Sequence, residues 1–442
     1  MNIINPATEE IITTIQEDNE VSLALKFEKL KNSAKQWSAV PVKKRAEILE
    51  KFVSLLKENI EELAAILTSE MGKPMQQSRN EINGAGAKAI WLAQHAPQYL
   101  SEEILSVSAQ MTEKIVQEPL GIICNISAWN YPYNVGVNIF VPALLAGNAV
   151  MYKPSEYATL TGLQIGAYLV AAGVPEGVFQ VAIGAGEVGG ALLEIPFDGY
   201  YFTGSYPTGQ KIYEHVAKKM VPCVLELGGK DPIYVADDVV DVASAAAGIA
   251  DGAFYNNGQS CCSVERIYVQ SAIYDAFVEA FVAEVKSWKM GSPTEDGVYI
   301  TVLSRKAQLE VLASQVSDAV ENGAQILVGG KRVDRKGNYF EPTVLVNVTH
   351  DMAVMREESF GPIIGIMRVE NDAEAVYLMN DTAYGLTAGV YSADQNRAEV
   401  ILAQINAGSG YWNCCDRVSA ALPWSGRGNS GFGSTLSQIG LK

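Results

Sequence analysis

The sequence predicts an α/β protein with two open, mostly parallel sheets. Short apolar runs such as 122–126 are typical of buried strands, and stretches with apolar residues at helical spacing separate them. A second series with the same rhythm follows the glycine pair at 228 and 229. Strands that alternate with amphipathic helices form βαβ units, so each series is expected to build one parallel sheet covered by helices.

The N-terminal part of the chain is predicted to be helical, with one hairpin at its end. Apolar residues recur at helical spacing over 44–70, and Gly72 and Pro74 end that helix. A second helix is predicted over 81–95. Over 100–118 apolar and polar residues roughly alternate, which predicts a β-hairpin.

From residue 122 onward, strands and helices are predicted to alternate. The first series comprises strand 122–126, helix 135–145, strand 149–152, helix 163–172, strand 179–183 and further pairs up to strand 221–227. The second comprises helix 240–255, strand 266–270, helices 272–289 and 304–321, strands 325–328 and 363–368, helix 373–379, strand 387–391 and helix 394–404.

Composition restricts the possible partners. The chain has 442 residues, of which 48% are hydrophobic and 19% charged, and its net charge is −17. This acidity disfavours non-specific binding to nucleic acid or to anionic membranes. The uncharged stretch 135–152 contains Pro142 and several polar residues, and it is better explained by helix, turn and strand than by a membrane span.

The number and spacing of the cysteines and histidines indicate the redox compartment of the protein and whether it binds a metal cluster. Six cysteines include two adjacent pairs and no Cys-x-x-Cys spacing, and only three histidines are present. Neither a disulfide framework nor a metal cluster fits that pattern, whereas reduced thiols do. Because the N-terminus also lacks the features of a signal peptide, a cytoplasmic protein without bound metal is expected.

Cys261 and Cys262 follow a Gly-Gln turn between a predicted helix and a predicted strand. A thiol on such a loop is exposed enough to react. A cysteine is nevertheless more often small core filler, so this stretch alone leaves both interpretations open.

Two further candidates follow buried strands. Glu226 ends an apolar run, and burial there should raise the pKa of its carboxyl and suit it to general-base work, although it could be a salt-bridged structural residue. Asn130 could donate to a developing oxyanion or simply fix a turn.

Three segments could contact a nucleotide. Residues 184–189 match G-x-G-x-x-G, a weak signal in a chain with 39 glycines. Residues 202–205 precede a predicted helix, whose N-terminus would favour an anion. Lys153 and Glu156 follow another strand and could hold two ribose hydroxyls, or they could belong to a solvated loop.

Seven motifs, in the order in which the family carries them, make the chain similar to the aldehyde dehydrogenase superfamily, and specifically to its non-CoA-acylating members. The motifs are AWNYP at 128–132, KPSE at 153–156, FTGS at 202–205, ELGGKDP at 226–232, GQSC at 258–261, EESFGP at 357–362 and NDTAYGLTAGVY at 380–391. The resemblance runs from NPAT at 5–8 to SGFG at 430–433.

The resemblance implies two Rossmann-like open parallel-sheet domains and a β-hairpin oligomerisation arm. The NAD-binding domain would comprise 1–100 and 121–227, and the catalytic domain 228–430. The arm would comprise 101–120 and 431–442, with its C-terminal strand short or missing. A homodimer or homotetramer is therefore expected.

The resemblance also assigns chemistry to individual residues. It implies that Cys261 attacks an aldehyde, that Asn130 stabilises the oxyanion, and that Glu226 activates the water that hydrolyses the thioacyl enzyme. Hydride would pass to NAD rather than NADP, because Glu156 would repel a 2′-phosphate. The expected cofactor contacts are Trp129, Lys153, Ser155, Glu156, Gly186, Phe202, Thr203, Gly204, Ser205, Leu227, Glu358 and Phe360.

The sequence determines the residues of the substrate pocket less well than the catalytic and cofactor-binding residues. By position its walls could include Tyr131, Val135, Asn138, Ser260, Cys262, Tyr411, Trp412, Cys415, Arg417 and Val418. Arg417 could meet a carboxylate, as in a succinate-semialdehyde dehydrogenase, or it could be solvated. Many relatives carry a Lys and a Glu in a proton relay, where this chain has Ile139 and Thr435.

Two alternatives to this function belong to other classes. A CoA-acylating relative would end in a thioester, but a general base for water would be wasted on a thiol acceptor, so Glu226 argues against it. A catalytically silent binding protein would not need Cys261, Glu226 and Asn130 together.

Overall fold

The computed structural model describes residues 1–442, and it begins with a small hairpin and four helices. Strands β1 (Asn2–Ile4) and β2 (Ile11–Thr14) pair antiparallel. The helices are α1 (Glu20–Ser38), α2 (Val42–Glu58), α3 (Ile60–Met71) and α4 (Met75–Tyr99).

The single helix predicted over 44–70 is wrong, because Asn59 divides it into α2 and α3. The Asn59 side chain donates to the Leu55 carbonyl oxygen at 2.8 Å, which offers the backbone an alternative to a continuous helix. The predicted hairpin over 100–118 is confirmed. It consists of β3 (Glu103–Val107) and β4 (Thr112–Ile115), and every residue in both strands is exposed.

The chain enters the first sheet near its centre, adds strands on one side, and then adds the remaining strands on the other side. Its elements are β5 (Ile122–Ile126), α5 (Pro132–Ala146), β6 (Ala149–Lys153), α6 (Thr159–Ala172), β7 (Phe179–Val181), α7 (Gly186–Glu194), β8 (Gly199–Thr203), α8 (Tyr206–Val216) and β9 (Cys223–Glu226). The strand order β9-β8-β5-β6-β7 is parallel throughout. The order in which strands are added therefore reverses between β5 and β8. Open α/β sheets bind ligands at such a point.

The second sheet has seven strands in the order β14-β15-β16-β11-β10-β17-β18, all parallel except β14. Its elements are β10 (Pro232–Val235), α9 (Val242–Phe254), β11 (Arg266–Gln270), α10 (Tyr274–Ser287), α11 (Gln308–Glu321), β14 (Gln325–Val328), β15 (Thr343–Val346), α12 (Ala353–Arg356), β16 (Ile363–Val369), α13 (Asp372–Asn380), β17 (Thr387–Tyr391), α14 (Gln395–Leu402) and β18 (Ser409–Trp412). Between α10 and α11, strands β12 (Lys289–Met290) and β13 (Val298–Ile300) form a separate two-stranded parallel sheet. The predicted fold class of two parallel-sheet layers is confirmed.

The C-terminal segment returns to the first sheet. Strand β19 (Gly431–Phe432) pairs antiparallel with β9, with Gly431 opposite Glu226, and α15 (Ser437–Leu441) follows. An isolated bridge between Trp424 and Thr435 closes this segment into a loop. No helix in the structure is both long and apolar enough to span a membrane.

Candidate active site

The candidate residues meet where the carboxyl end of the first sheet faces the amino end of the second sheet. Asn130 follows β5, and Ser205 follows β8 across the point where the order of strand addition reverses. Glu226 ends β9, and Cys261 lies on the loop between α9 and β11 of the second sheet. The topology thus brings Asn130, Ser205 and Cys261 to one cleft, and Glu226 precedes Leu227, which also lines it.

The loop that carries Cys261 has an unusual backbone. After α9 comes a short turn, Tyr255–Gly258, in which Asn256 and Asn257 adopt left-handed φ values of 54° and 55°. Asparagine tolerates this region better than most residues, and Gly258, at φ 69°, adopts it without strain. A Cβ atom at Gly258 would collide with the carbonyl oxygen of Gly361.

Hydrogen bonds tie this loop to Asn130. The Asn130 side-chain amide donates to the Gln259 carbonyl oxygen at 3.1 Å. The Asn256 amide donates to the carbonyl oxygens of both Asn130 and Gln259, each at 3.1 Å. One N–H of the Asn130 amide is used here, so the second can point to a ligand beside Cys261.

Glu226 is buried, with 7% of its surface exposed. Burial raises the pKa of its carboxyl to about 7, although a hydrogen bond donated by Thr435 to Oε1 and the ammonium of Lys88 oppose that rise. A carboxylate with this proton affinity can accept a proton near neutral pH. Thr435 and Ile139, expected at the relay positions, both line a second cavity of about 490 Å³.

The two adjacent cysteines differ in their surroundings. Cys261 is half-buried and lines the large cleft, whereas Cys262 is buried and donates to Asp416 Oδ1 at 3.1 Å. Its hydrogen bond with Cys261, together with burial, raises the pKa of the Cys262 thiol well above its ordinary value. Cys261 is therefore the better candidate for a nucleophile, as the sequence predicted.

Asp416 is a site residue that sequence reasoning missed. It also accepts a hydrogen bond from Ser260 at 3.1 Å, and burial raises the pKa of its carboxyl to about 7. Its neighbour Arg417, which the sequence suggested instead, is exposed, and its side chain makes no hydrogen bond or ion pair. No local pattern distinguishes the two, because the left-handed backbone at Asp416, with φ 45°, decides which one faces Ser260.

The other expected pocket residues are only partly gathered together. Ser260 and Cys262 share Asp416, and Tyr131 and Val135 flank the start of α5. The Trp412 indole instead donates to the Ser392 carbonyl oxygen at 2.9 Å. The Cys415 thiol faces α9, 3.5 Å from the Gly248 carbonyl oxygen.

All the expected cofactor contacts line one cleft with a volume of about 680 Å³. Asn130 and Cys261 line it as well, so the candidate thiol opens into this cleft, which we name the cofactor cleft. Sequence reasoning missed Lys211, Arg305 and Gln308, which also line it and belong to no recognisable motif. No group of three or more His, Cys, Asp and Glu side chains could hold a metal ion.

The cofactor cleft fits a dinucleotide at several points. The Lys153 ammonium is buried and has one hydrogen bond, at 3.2 Å to the Pro154 carbonyl oxygen, which leaves donors free for a ligand. Helix α8 begins at the cleft after Ser205, and the N–H groups of its first turn favour phosphate oxygens. A Cβ atom at Gly186 would meet nothing within 4 Å, so the backbone at this position borders open space of the cleft.

The opposite wall of the cofactor cleft is held by buried carboxylates. Glu358 accepts from the Gly229 N–H at 2.9 Å, and Glu265 accepts from the N–H of Phe360 at 3.0 Å. Burial, followed by repulsion from Glu265, raises the pKa of Glu358 to about 7. The Phe360 ring packs edge-on against Trp129 at 5.4 Å between centroids, so both expected contacts form one aromatic wall.

A nucleotide-sized cleft between the carboxyl end of one parallel sheet and the amino end of another is typical of an α/β enzyme with a dinucleotide cofactor. The family model described as "Aldehyde dehydrogenase family" matches residues 1–442. The chain belongs to this family, so the protein is an oxidoreductase that acts on an aldehyde and uses a nicotinamide dinucleotide.

Individual relatives agree over nearly the full length. Aminoaldehyde dehydrogenase 1, peroxisomal, of Pisum sativum is 35% identical, with 99% of this chain and 90% of the relative covered. Betaine aldehyde dehydrogenase, chloroplastic, of Amaranthus hypochondriacus is 34% identical, with 100% and 90% covered. The solved structure of lactaldehyde dehydrogenase from Escherichia coli has a TM-score of 0.95 at 31% identity, with 100% and 93% covered.

Proposed function

We propose that the aldehyde is oxidised to its carboxylic acid through a thioacyl intermediate on Cys261. The observation that carries this proposal is the opening of the Cys261 thiol into the cofactor cleft beside the Asn130 amide. The Cys261 thiol loses its proton to solvent, its sulfur attacks the aldehyde carbon, a C–S bond forms, and the carbonyl oxygen becomes an oxyanion. The Asn130 side-chain N–H and the Cys261 backbone N–H donate to that oxyanion.

The cofactor supplies the acceptor for the hydride that leaves the thiohemiacetal carbon. The residues proposed to hold it are Lys153 and Glu156 at the adenosine ribose, Ser205 at the diphosphate, and Glu358 with Phe360 at the nicotinamide ribose. Loss of the hydride leaves Cys261 thioacylated.

Glu226 completes the reaction as general base. Its carboxylate takes a proton from water, and the water oxygen attacks the thioacyl carbon. The C–S bond breaks, the acid leaves and the Cys261 sulfur is regenerated, while the proton on Glu226 is lost to solvent. A carboxyl pKa of about 7 supports this role near neutral pH.

We propose NAD as the preferred cofactor. Glu156 lines the cofactor cleft near Lys153 and would repel a 2′-phosphate. One structural neighbour, described as an E. coli NADP dependent enzyme, is 30% identical with a TM-score of 0.96, so the choice of cofactor needs a direct test. We expect a higher initial rate with NAD than with NADP, and we expect Glu156→Gln to reduce the ratio of these two rates. A higher rate of the wild type with NADP would contradict the assignment.

We propose that the aldehyde carries an amino group. The Asp416 carboxyl accepts hydrogen bonds from Ser260 and Cys262, the neighbours of Cys261, and supplies a negative charge above its pKa of about 7. Two relatives are named for aminoaldehyde and betaine aldehyde. An ω-amino aldehyde should have a lower KM than an ω-carboxy aldehyde of equal length. Asp416→Asn should raise the KM of the amino aldehyde alone, and a lower KM for the carboxy aldehyde would instead support a semialdehyde substrate.

The six cysteines are all free, which supports a reducing compartment such as the cytoplasm. Measurement of where a tagged protein resides in its own cells would test this proposal. Localisation to an oxidising compartment would contradict it.

The central experiment separates the two half-reactions. Cys261→Ala should abolish formation of reduced nicotinamide while cofactor binding, measured by titration, persists. Glu226→Gln should keep a burst of about one reduced cofactor per site and lose steady-state turnover. Cys262→Ala serves as the neighbouring control and should keep the burst; turnover by Cys261→Ala would overturn the assigned nucleophile, and acyl-CoA formed on adding CoA would support the acyl-transfer class.

A further inference from the structure

Lys73 and Glu81 form an ion pair whose side chains are both fully buried. Lys73 lies between α3 and α4, and Glu81 is on α4. Removing two such charges from water is unfavourable, and their mutual attraction offsets that cost only where further hydrogen bonds satisfy both groups. The remaining contacts of the pair therefore indicate what it holds in place.

The pair forms hydrogen bonds with the backbone at both ends of the turn that carries Asn130. The Lys73 ammonium donates to the Asn130 carbonyl oxygen at 2.9 Å and lies 4.0 Å from the centroid of the Tyr131 ring. At the other end, Glu81 Oε1 accepts from the backbone N–H of Tyr133 at 2.9 Å. The turn between β5 and α5 is thus held at two backbone groups by one buried pair.

The Asn130 backbone is consequently fixed from two directions. Its carbonyl oxygen accepts from Lys73 on one side and from the Asn256 amide of the Cys261 loop, at 3.1 Å, on the other. Its side chain donates to Gln259 of the same loop. A displacement of the Asn130 backbone would move the amide that faces the cleft, and hydrogen-bond donors to an oxyanion act only within a narrow range of distance.

We propose that the Lys73–Glu81 ion pair positions the Asn130 amide for the oxyanion, so that Lys73 and Glu81 are positioning residues for the oxidation. The inference rests on the proposed role of Asn130. Neither residue touches the reacting atoms. Their effect is transmitted through the backbone of the turn 130–133.

A second ion pair with the same architecture provides a matched control. The Lys26 ammonium contacts Asp18 at 2.5 Å and the Val181 carbonyl oxygen at 2.7 Å. Asp18 accepts from the Ile183 N–H at 2.7 Å. This pair also forms hydrogen bonds with the backbone of a turn that follows a strand of the first sheet, in this case β7. That turn does not carry Asn130.

The first test is Lys73→Met, read by the rate constant of the burst at saturating aldehyde and cofactor. We expect that rate to fall by about ten- to a hundredfold, the range for a misplaced catalytic group, with little change in KM. Alkylation of Cys261 by iodoacetamide should stay within about twofold of wild type, because that displacement at carbon forms no oxyanion. A general disturbance of the site would slow both reactions.

The second test asks whether Lys73 acts through Asn130. If it does, Lys73→Met/Asn130→Ala should be no slower than Asn130→Ala alone. Independent, multiplying effects would overturn the inference. Because a lone buried charge can prevent folding, Lys73→Met/Glu81→Met, which removes both charges, repeats the measurement in a protein without an unpaired ion.

The outcomes distinguish this inference from the proposed mechanism. A wild-type burst in Asn130→Ala would show that the proposed role of Asn130 is wrong. A slow burst in Asn130→Ala with wild-type bursts in both Lys73 variants would overturn only the positioning role. Lys26→Met should lower the melting temperature and keep the burst rate at saturating cofactor; a matching loss of that rate would reduce the Lys73 effect to general destabilisation.

Discussion

At the scale of single residues, the proton affinity of Glu226 depends on burial opposed by one hydroxyl group. Burial raises the pKa of the carboxyl to about 7, and the hydrogen bond from Thr435 lowers it. Thr435→Val removes that donor at nearly constant volume, so the pKa of Glu226 should rise. Since only the ionised carboxylate accepts a proton from water, the acid limb of kcat should move to higher pH by roughly one unit, the equivalent of one hydrogen bond.

The measurement is steady-state turnover as a function of pH, in wild type and in two variants. Thr435→Ser keeps the hydroxyl and should keep the wild-type acid limb. The burst rate of Thr435→Val should be unchanged, because the proposed role of Glu226 begins after the thioacyl enzyme has formed. Superimposable kcat profiles for Thr435→Val and wild type would show that the hydroxyl does not tune the base.

The sequence offered candidates for the chemical steps more readily than for the residues around them. Cys261, Glu226 and Asn130 each follow or end a strand or helix within a specific motif, and in the structure Cys261 and Asn130 line the cofactor cleft while Glu226 precedes Leu227 of its lining. Lys73 and Asp416 could not be found this way, since their importance arises from contacts 57 and 156 residues away along the chain. Such long-range contacts leave no local periodicity to detect.

At the scale of elements, the Tyr255–Gly258 turn is the one whose backbone restricts substitution most. Gly258 has φ 69°, and a Cβ atom there would also collide with the Gly361 carbonyl oxygen. Gly258→Ala should therefore cost more than the roughly 1–2 kcal/mol of a left-handed residue alone, and it should displace the Cys261 loop. We expect a lower free energy of unfolding and at least a tenfold slower burst, measured by denaturant titration and by rapid mixing.

Gly297 separates the two contributions. It has a similar φ of 71°, but a Cβ atom there would meet nothing within 4 Å. Gly297→Ala should therefore show only the cost of the left-handed backbone, with an unchanged burst. Equal destabilisation by the two substitutions would mean that the contact with Gly361 relaxes easily.

Elements with strong periodicity were predictable, and the weakly patterned ones were not. The sequence missed α1, whose buried side chains Leu23, Leu30 and Trp37 recur only once every seven residues. It also missed β15 and β18. The first is a short fully buried run without alternation, and the second, Ser409–Trp412, is held by pairing with β17 rather than by its own residues.

At the scale of the whole molecule, the hairpin β3–β4 carries the clearest sign of assembly. Ile104, Leu105 and Val107 are 62%, 59% and 71% exposed on strands that pack on no other sheet. Burial of each such side chain is worth about 1.5–3 kcal/mol, so the hairpin is a favourable site for a second copy. We predict a mass in light scattering of two or four times 47.6 kDa.

Substitution of the hairpin should reduce that mass. Ile104→Lys/Val107→Lys should shift the protein toward the monomer, because two charges would be buried without partners. Val240, which is 90% exposed and lies before α9, gives the control Val240→Lys, and its mass should not change. A wild-type monomer would show that the exposed hairpin has no partner of its own kind.

The antiparallel pairing of β19 with β9 has a consequence for how the enzyme is made. The proposed base Glu226 and the hydroxyl that donates to it are separated by 209 residues of sequence. Since chains leave the ribosome N-terminal end first, the cofactor cleft and the Cys261 loop emerge before the strand that completes the surroundings of Glu226. A nascent chain therefore passes through a stage in which Cys261 has emerged and Thr435 has not, and the carboxyl of Glu226 reaches its final proton affinity only when residue 435 is in place.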